Sequence, residues 1–255
     1  MINIKRKAII FGIKGTMLTK VEKALLKEEK PWGIILFSRN IENILQLKKL
    51  ITDIRKIMRD KKYPILIDQE GGKVSRLNKI LDFSLFSQAY FGNLYRKDNN
   101  NFYYYYKIYI EKISNIFRNV GININTAPVL DVLSRKTHDS IGDRSYSENV
   151  DSVSKIGLIC TKLFAEYKIA TVIKHIPGLG QAEVDSHYKL PIIKTSKNNL
   201  IKRDFKPFKK LNSQFAMTAH AVYKSYDPNF AATHSRFIIE KIIRKHIGFE
   251  GILIS

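Results

Sequence analysis

The segment from Lys174 to Pro191, KHIPGLGQAEVDSHYKLP, holds the residues whose types and spacing could do chemistry. In an extended stretch, alternate side chains point to the same side, so the carboxylate of Asp185 could orient and polarise the imidazole of His187. Histidine titrates close to neutral pH, which suits a general acid/base. Two alternatives stay open here: a metal site, and a surface histidine with no role beyond a local hydrogen bond.

The spacing disfavours the metal alternative. Zinc sites favour His-x3-His on a helix or paired cysteines, and the segment has neither pattern. Lys174 beside His175 would repel a cation, and only Asp185, His187 and His220 could serve as ligands. We therefore expect no metal, and we expect an irregular, mobile loop that transfers a proton.

A second segment, ILIDQEGGKVSRL (65–77), suggests a sugar-binding role. Asp68 follows a strand, two glycines permit close backbone approach, and Arg76 comes next. Aspartate accepts hydrogen bonds from vicinal hydroxyls and arginine donates to them, so the pair could hold a sugar, with Glu70 as a supporting partner. The alternative is an Asp that caps a helix and an Arg that is merely solvated.

Repeated strand and helix patterns must position these residues. Strand-like runs occupy 7–13, 32–38, 63–70, 124–132, 170–178, 215–223 and 251–255, and helical patterns occupy about 19–29, 41–61, 99–119, 147–167, 197–212 and 234–246. The strands are nearly continuous Ile- and Val-rich runs, as in a parallel sheet buried on both faces.

This alternation leaves two architectures, an open doubly wound sheet or a closed barrel. Polar residues stand at or just beyond the ends of several strands: Asp68, Asp131, Lys174, His175 and His220. Such a distribution matches the active-site face of a (β/α)8 TIM-type barrel, and no G-x-G-x-x-G follows the first strand. We predict one α/β barrel domain over 1–255, with about seven strands and incomplete at its C-terminus.

Composition narrows the partners and the compartment. The 255 residues are 44% hydrophobic, and no apolar run approaches the length of a membrane span. The 44 basic and 23 acidic residues give a net charge of +21, but the lysines are spread along the chain, which disfavours a nucleic-acid partner. A lone cysteine, Cys160, fits a reducing compartment, so we expect a cytoplasmic protein.

Six motifs carry a family resemblance when taken in order. They are GIILFSRNIEN, ILIDQEGGKVSRL, APVLDV with IGDRSYSEN, KHIPGLG with DSHYKLP, MTAHAVY, and IIRKHIGFEGILIS. Together they span nearly the whole chain and resemble the N-terminal barrel of glycoside hydrolase family 3, in its bacterial β-N-acetylhexosaminidase branch.

The resemblance implies a cytoplasmic enzyme of peptidoglycan recycling that needs no cofactor. It would remove non-reducing N-acetylglucosamine from muropeptides with retention of configuration, through a covalent glycosyl-enzyme. By position in the motifs, the sugar hydroxyls would contact Asp68, Arg76, Arg144, Lys174 and His175. His187 would be the acid/base and Asp185 its carboxylate partner, which agrees with the interpretation from the residues alone.

Two departures from the family pattern set further expectations. Ile176 replaces an aromatic residue and Leu179 replaces a third histidine of the family motif. The family nucleophile is an aspartate directly after the strand that appears here as GILIS, and it would be the residue after Ser255. We therefore expect a truncated barrel with little activity alone, which a C-terminal fragment could complement. The alternative is a non-catalytic sugar-binding remnant.

Overall fold

The computed structural model describes residues 6–211 and 213–255. Strands are β1 (Lys7–Gly12), β2 (Pro31–Leu36), β3 (Ile65–Ile67), β4 (Ile124–Asn125), β5 (Ala170–Ile176), β6 (Ile192–Ile193), β7 (Phe215–Thr218), β8 (Val222–Tyr223) and β9 (Ile252–Ile254). Helices are α1 (Lys20–Glu29), α2 (Ile44–Met58), α3 (Gln88–Lys97), α4 (Asn99–Val120), α5 (Val150–Glu166) and α6 (Lys197–Lys202), followed by a π-type helix at Ile238–Ile247.

The main sheet has seven parallel strands in the order β1-β2-β3-β4-β5-β7-β9, and β6 pairs with β8 separately. Helices connect successive strands, as parallel pairing requires. The predicted α/β architecture is confirmed: the sheet curls into an incomplete barrel of seven strands. Among the described strands, β1 and β9 form its two edges.

Alternate residues of the strands enter two different cores. Ile65, Ile67 and Ile173 pack in the large core that includes the helices, whereas Leu66 and Val172 belong to a smaller cluster on the other face of the sheet. In that smaller cluster the rings of Trp32 and Phe215 lie 5.4 Å apart between centroids. Both faces of the sheet are therefore buried, which explains the continuous apolar runs of the sequence.

Helix ends follow the local sequence signals. Thr19 accepts a hydrogen bond from the backbone N–H of Glu22 while the Glu22 carboxylate accepts one from the N–H of Thr19, so the predicted capping box is confirmed. Gly248, with φ of 81°, ends the π-type helix as predicted. No helix in the described parts of the chain is long and apolar enough to cross a membrane.

The structure differs from the predicted helices in two places. Helix α3 was not predicted; Ser87 caps its start, and Asp98 ends it and caps α4 directly afterwards. The predicted helix 197–212 ends at Lys202, and a short 3-10 turn follows at Lys206–Phe208; position 212 lies outside the described residues. Pro207 lacks the N–H that a continuing helix would need, and this accounts for the early end.

Candidate active site

A buried ion-pair network occupies the carboxyl ends of β3 and β5. The Lys174 ammonium lies 2.5 Å from Glu70 Oε1 and 3.0 Å from Asp68 Oδ1. Arg144 donates two hydrogen bonds to the Glu70 carboxylate, from Nε at 2.8 Å and from Nη2 at 3.0 Å. The 3-10 turn Gly142–Arg144 brings this guanidinium to the mouth. Three residues predicted to contact sugar, Asp68, Lys174 and Arg144, are thus brought together around Glu70.

Arg76 stands at the edge of this network. Its Nη2 lies 3.9 Å from Asp68 Oδ2, and its guanidinium faces the Phe37 ring with 5.9 Å to the centroid. Asp68 also accepts a hydrogen bond from Thr126, a residue that the sequence analysis missed. Arg76 is therefore the cation of the network that is held least tightly, with donor groups left for a ligand.

The network keeps its carboxylates ionised. Burial alone would raise the pKa of Asp68, but the Lys174 charge, the hydrogen bonds from Thr126 and Lys174, and the Arg76 charge lower it to about 2. Burial likewise acts against ionisation of Glu70, yet the charges of Lys174 and Arg144 lower its pKa. Two carboxylates therefore face three cations, an arrangement that suits neutral, hydroxyl-rich ligands.

His175 lies outside that network and has its own partner. Its Nδ1 is 2.7 Å from Oδ2 of the fully buried Asp131, whose Oδ1 accepts hydrogen bonds from the His175 and Leu179 backbone N–H groups. Asp131 thus orients the imidazole and fixes the start of the following loop. The sequence placed Asp131 at a strand end, but this contact across 44 positions was not foreseen.

The predicted Asp-His pair is present on the loop that follows β5. The Asp185 Oδ1 accepts a hydrogen bond from the His187 backbone N–H at 2.9 Å and lies 2.7 Å from the ring Nδ1. The His187 side chain is 76% exposed and that of Asp185 19%. Hydrogen bonds from the backbone and ring of His187 lower the pKa of Asp185. With Nδ1 bound to a carboxylate, Nε2 is free to face a substrate.

No hydrogen bond or ion pair among the described residues joins this pair to the buried network. The connection runs instead through the loop from Pro177 to Pro191, which consists of turns. Its start is tightly packed: a Cβ on Gly180 would lie 2.0 Å from the Val132 carbonyl oxygen. Leu179, which replaces the family histidine, is buried in the core, and its backbone N–H is held by Asp131.

Metal ligands are not assembled at this face. In the described ranges, 6–211 and 213–255, no group of three or more His, Cys, Asp or Glu side chains is placed to hold an ion. His220 instead packs its ring against His234, with 5.7 Å between centroids. The site as described can bind polar groups and move a proton through its own side chains.

Comparisons with known proteins agree with this geometry. Residues 7–255 match the sequence profile described as the glycosyl hydrolase family 3 N terminal domain. Beta-hexosaminidase of Haemophilus ducreyi is 34% identical over 251 residues, covering 97% of this chain and 71% of that protein. Beta-hexosaminidase A of Pseudoalteromonas piscicida is 30% identical over 246 residues, covering 88% of this chain but only 40% of that protein.

A solved structure shows the same fold. NagZ from Neisseria gonorrhoeae, in complex with N-trifluoroacetyl-D-glucosamine, superposes with a TM-score of 0.88 at 30% sequence identity. The match covers 98% of this chain and 74% of that one. The resemblance to these beta-hexosaminidases supports a glycosidase. The fold, the polar residues at the strand ends and the match over 7–255 together show that the chain belongs to glycosyl hydrolase family 3, through that family's N-terminal domain.

Proposed function

We propose that this domain binds the terminal N-acetylglucosamine of peptidoglycan-derived muropeptides and acts in its hydrolysis with retention of configuration. The observation that carries the proposal is that β5, which holds Lys174 in the buried network, continues directly into the loop that bears the exposed Asp185–His187 pair. A similar protein, NagZ of Neisseria gonorrhoeae, binds N-trifluoroacetyl-D-glucosamine, which supports an N-acylated glucosamine as the ligand.

The network would recognise the sugar through its hydroxyls. Asp68 and Glu70 offer carboxylate oxygens as acceptors, and Lys174, Arg144 and Arg76 offer donors. Because the charges are already paired and mostly buried, they are held in place before a ligand arrives, which lowers the entropic cost of binding. His175, fixed by Asp131, would add a ring nitrogen at the rim.

The Asp185–His187 pair would handle the proton. In the first step a carboxylate nucleophile would bond to the anomeric carbon as the bond to the aglycone breaks. The His187 imidazolium, which Asp185 stabilises, gives its Nε2 proton to the departing glycosidic oxygen and becomes neutral. In the second step the neutral imidazole takes a proton from water as it attacks the glycosyl-enzyme. The pair thereby replaces the acid/base carboxyl of other retaining glycosidases.

The other requirement is a carboxylate nucleophile, which by the family resemblance would follow β9. At this face of the described residues, Asp68 and Glu70 are engaged by cations and Asp131 by His175. We infer that a polypeptide of residues 1–255 binds the sugar but turns it over negligibly. A segment or separate fragment that adds a strand between the edges of β9 and β1 would complete the barrel.

A chimera tests this proposal. The part of the Haemophilus ducreyi protein that lies C-terminal to its matched region can be fused after Ser255. We expect the chimera to release chromophore from a chromogenic N-acetylglucosaminide, and residues 1–255 alone to bind the sugar without turnover. A chimera carrying His187→Ala is the control and should lose most of the activity. Turnover by residues 1–255 alone, or an active His187→Ala chimera, would count against the proposal.

The compartment is also part of the proposal. The only cysteine, Cys160, is buried and forms no disulfide, which suits a reducing cytoplasm. Recycled muropeptides would meet the domain there.

A further inference from the structure

Asp204 is a buried carboxyl that forms no ion pair with any of the described residues. The residue is fully buried, yet neither of its oxygens has a hydrogen-bond partner within the described structure. Other buried carboxylates of this region do have partners. Glu70 pairs with two cations, and Asp131 contacts the His175 ring and accepts a hydrogen bond from the Leu179 N–H. A buried polar group that remains unsatisfied costs stability.

Asp204 lies directly beneath the start of the acid/base loop. Gly178 approaches it so closely that a Cβ there would lie 2.9 Å from the Asp204 Cβ and 2.6 Å from its carbonyl oxygen. Gly178 has φ of +133°, and its carbonyl oxygen accepts a 2.7 Å hydrogen bond from the Tyr223 hydroxyl. Any movement of Asp204 therefore displaces Gly178, the residue that we call the hinge of the loop that carries His187.

Four groups face the Asp204 carboxyl from the elements packed around it. Arg203 precedes it, but the Arg203 guanidinium donates to the Leu133 carbonyl instead. Asp131 comes from the loop after β4, Gln181 from the acid/base loop and Tyr223 from β8. Burial raises the pKa of Asp204 to about 7; the Asp131 charge adds to the rise, while Arg203 and Gln181 oppose it.

We propose that Asp204 is a positioning residue of the acid/base loop, whose start it fixes through its close packing against Gly178. An ionised Asp204 would place a second buried negative charge beside Asp131. Water would have to enter, or the carboxylate would have to turn toward Arg203, and either change displaces the packed hinge. The link to catalysis rests on the proposed role of His187; the coupling of Asp204 to the hinge does not.

Nuclear magnetic resonance on residues 1–255 tests the coupling. We expect the Asp204 carboxyl carbon and the Gly178 and Gly180 amide signals to titrate together, with a midpoint near pH 7. Asp204→Asn should abolish the titration of both glycine amides and keep their low-pH positions. Asp151→Asn is the matched control. Asp151 is exposed and pairs with Lys206, two residues after Asp204, so this variant should leave the titration of the glycine amides unchanged.

Three results would overturn the proposal. The Asp204 carbon could titrate near 3.8, its ordinary value, which is measurable in the unmodified chain even if Asp204→Asn does not fold. The glycine amides could keep their titration in Asp204→Asn, which would assign it to a nearby histidine. The third such result is that neither glycine amide titrates in the unmodified chain. Calorimetry with N-acetylglucosamine on the same samples reports on the proposed function separately: failed binding with an intact titration refutes only that function.

Discussion

The Lys174 ammonium lies 2.5 Å from Glu70 Oε1, although the two side chains are only 3% and 1% exposed. A lysine and a glutamate at this depth are stable only as partners, since each alone would be a buried unpaired charge. The pair joins β5 to the loop after β3. The same contact therefore fixes the shape of the barrel mouth and the positions of the polar groups that a ligand would meet there.

Removing the Lys174 charge should therefore destabilise the domain. Lys174→Met leaves Glu70 with Arg144 alone and Asp68 without its closest cation, so we expect a loss of about 3–5 kcal/mol in the free energy of unfolding by urea. Lys49→Met removes an exposed helix ion pair with Asp53 and should cost no more than about 0.5 kcal/mol. A loss below about 1 kcal/mol for Lys174→Met would show that the network does not stabilise the fold.

The free energy of unfolding at acid pH should depend on the ionisation of Asp68. Its pKa falls from 3.8 to about 2 on folding, so its ionised form is favoured in the native state. The resulting stabilisation, about 2 kcal/mol, is present above pH 4 and is lost as the pH falls toward 2. Unfolding by urea at a series of pH values measures it.

Asp68→Asn is the comparison for that series. The difference in unfolding free energy between the unmodified chain and this variant should shrink from pH 4 to pH 2. A difference that stays constant over this range would mean that Asp68 does not ionise with a lowered pKa in the folded protein.

The Asp185–His187 pair predicts a particular tautomer of the imidazole. A carboxylate accepts a hydrogen bond from the Nδ1–H group, so neutral His187 should carry its proton on Nδ1 and leave Nε2 unprotonated. Asp185→Asn offers an amide donor instead and should shift the population toward the Nε2-protonated form. Nitrogen-15 shifts of the imidazole measure this.

His138, whose Nδ1 lies 3.0 Å from the Ser140 hydroxyl, serves as an internal reference in the same spectra. Its tautomer should be the same in both proteins. An unchanged His187 tautomer in Asp185→Asn would mean that the contact with Asp185 does not orient the ring.

Features set by local sequence were predictable. Continuous Ile- and Val-rich runs predicted the parallel strands, and Thr19 with Glu22 predicted the start of α1. The Asp185–His187 contact was expected in an extended stretch, but it forms in a turn in which the backbone N–H of His187 also donates to Asp185. Asp68 and Lys174 could be expected at one edge because parallel strands end on the same side of a sheet.

Contacts between distant segments were not predictable in the same way. Glu70 was proposed as a supporting partner, and the structure pairs it with two cations, which lie at the distant positions 144 and 174. Asp131 contacts His175, and Asp204 packs against Gly178, through tertiary packing. Hydrophobic periodicity in the sequence does not predict such contacts. Helix α3 was missed because Asp98 ends it and starts α4 with no intervening loop.

Binding of N-acetylglucosamine by the network at the barrel mouth can be tested most sharply at Arg76. Arg76 and Lys73 lie on the same loop, and each has its nearest carboxylate 3.9 Å away, although Lys73 is the more exposed of the two. Of these two cations, Arg76 faces Asp68 and Lys73 faces Asp143. A lost charge-assisted hydrogen bond is worth about 1.5–3 kcal/mol, roughly tenfold or more in affinity.

Calorimetric titration of residues 1–255 with N-acetylglucosamine is the most direct measurement. We predict saturable binding that Arg76→Ala weakens roughly tenfold or more and that Lys73→Ala leaves within about twofold. Absence of saturable binding by the unmodified chain, or equal losses in the two variants, would contradict the account.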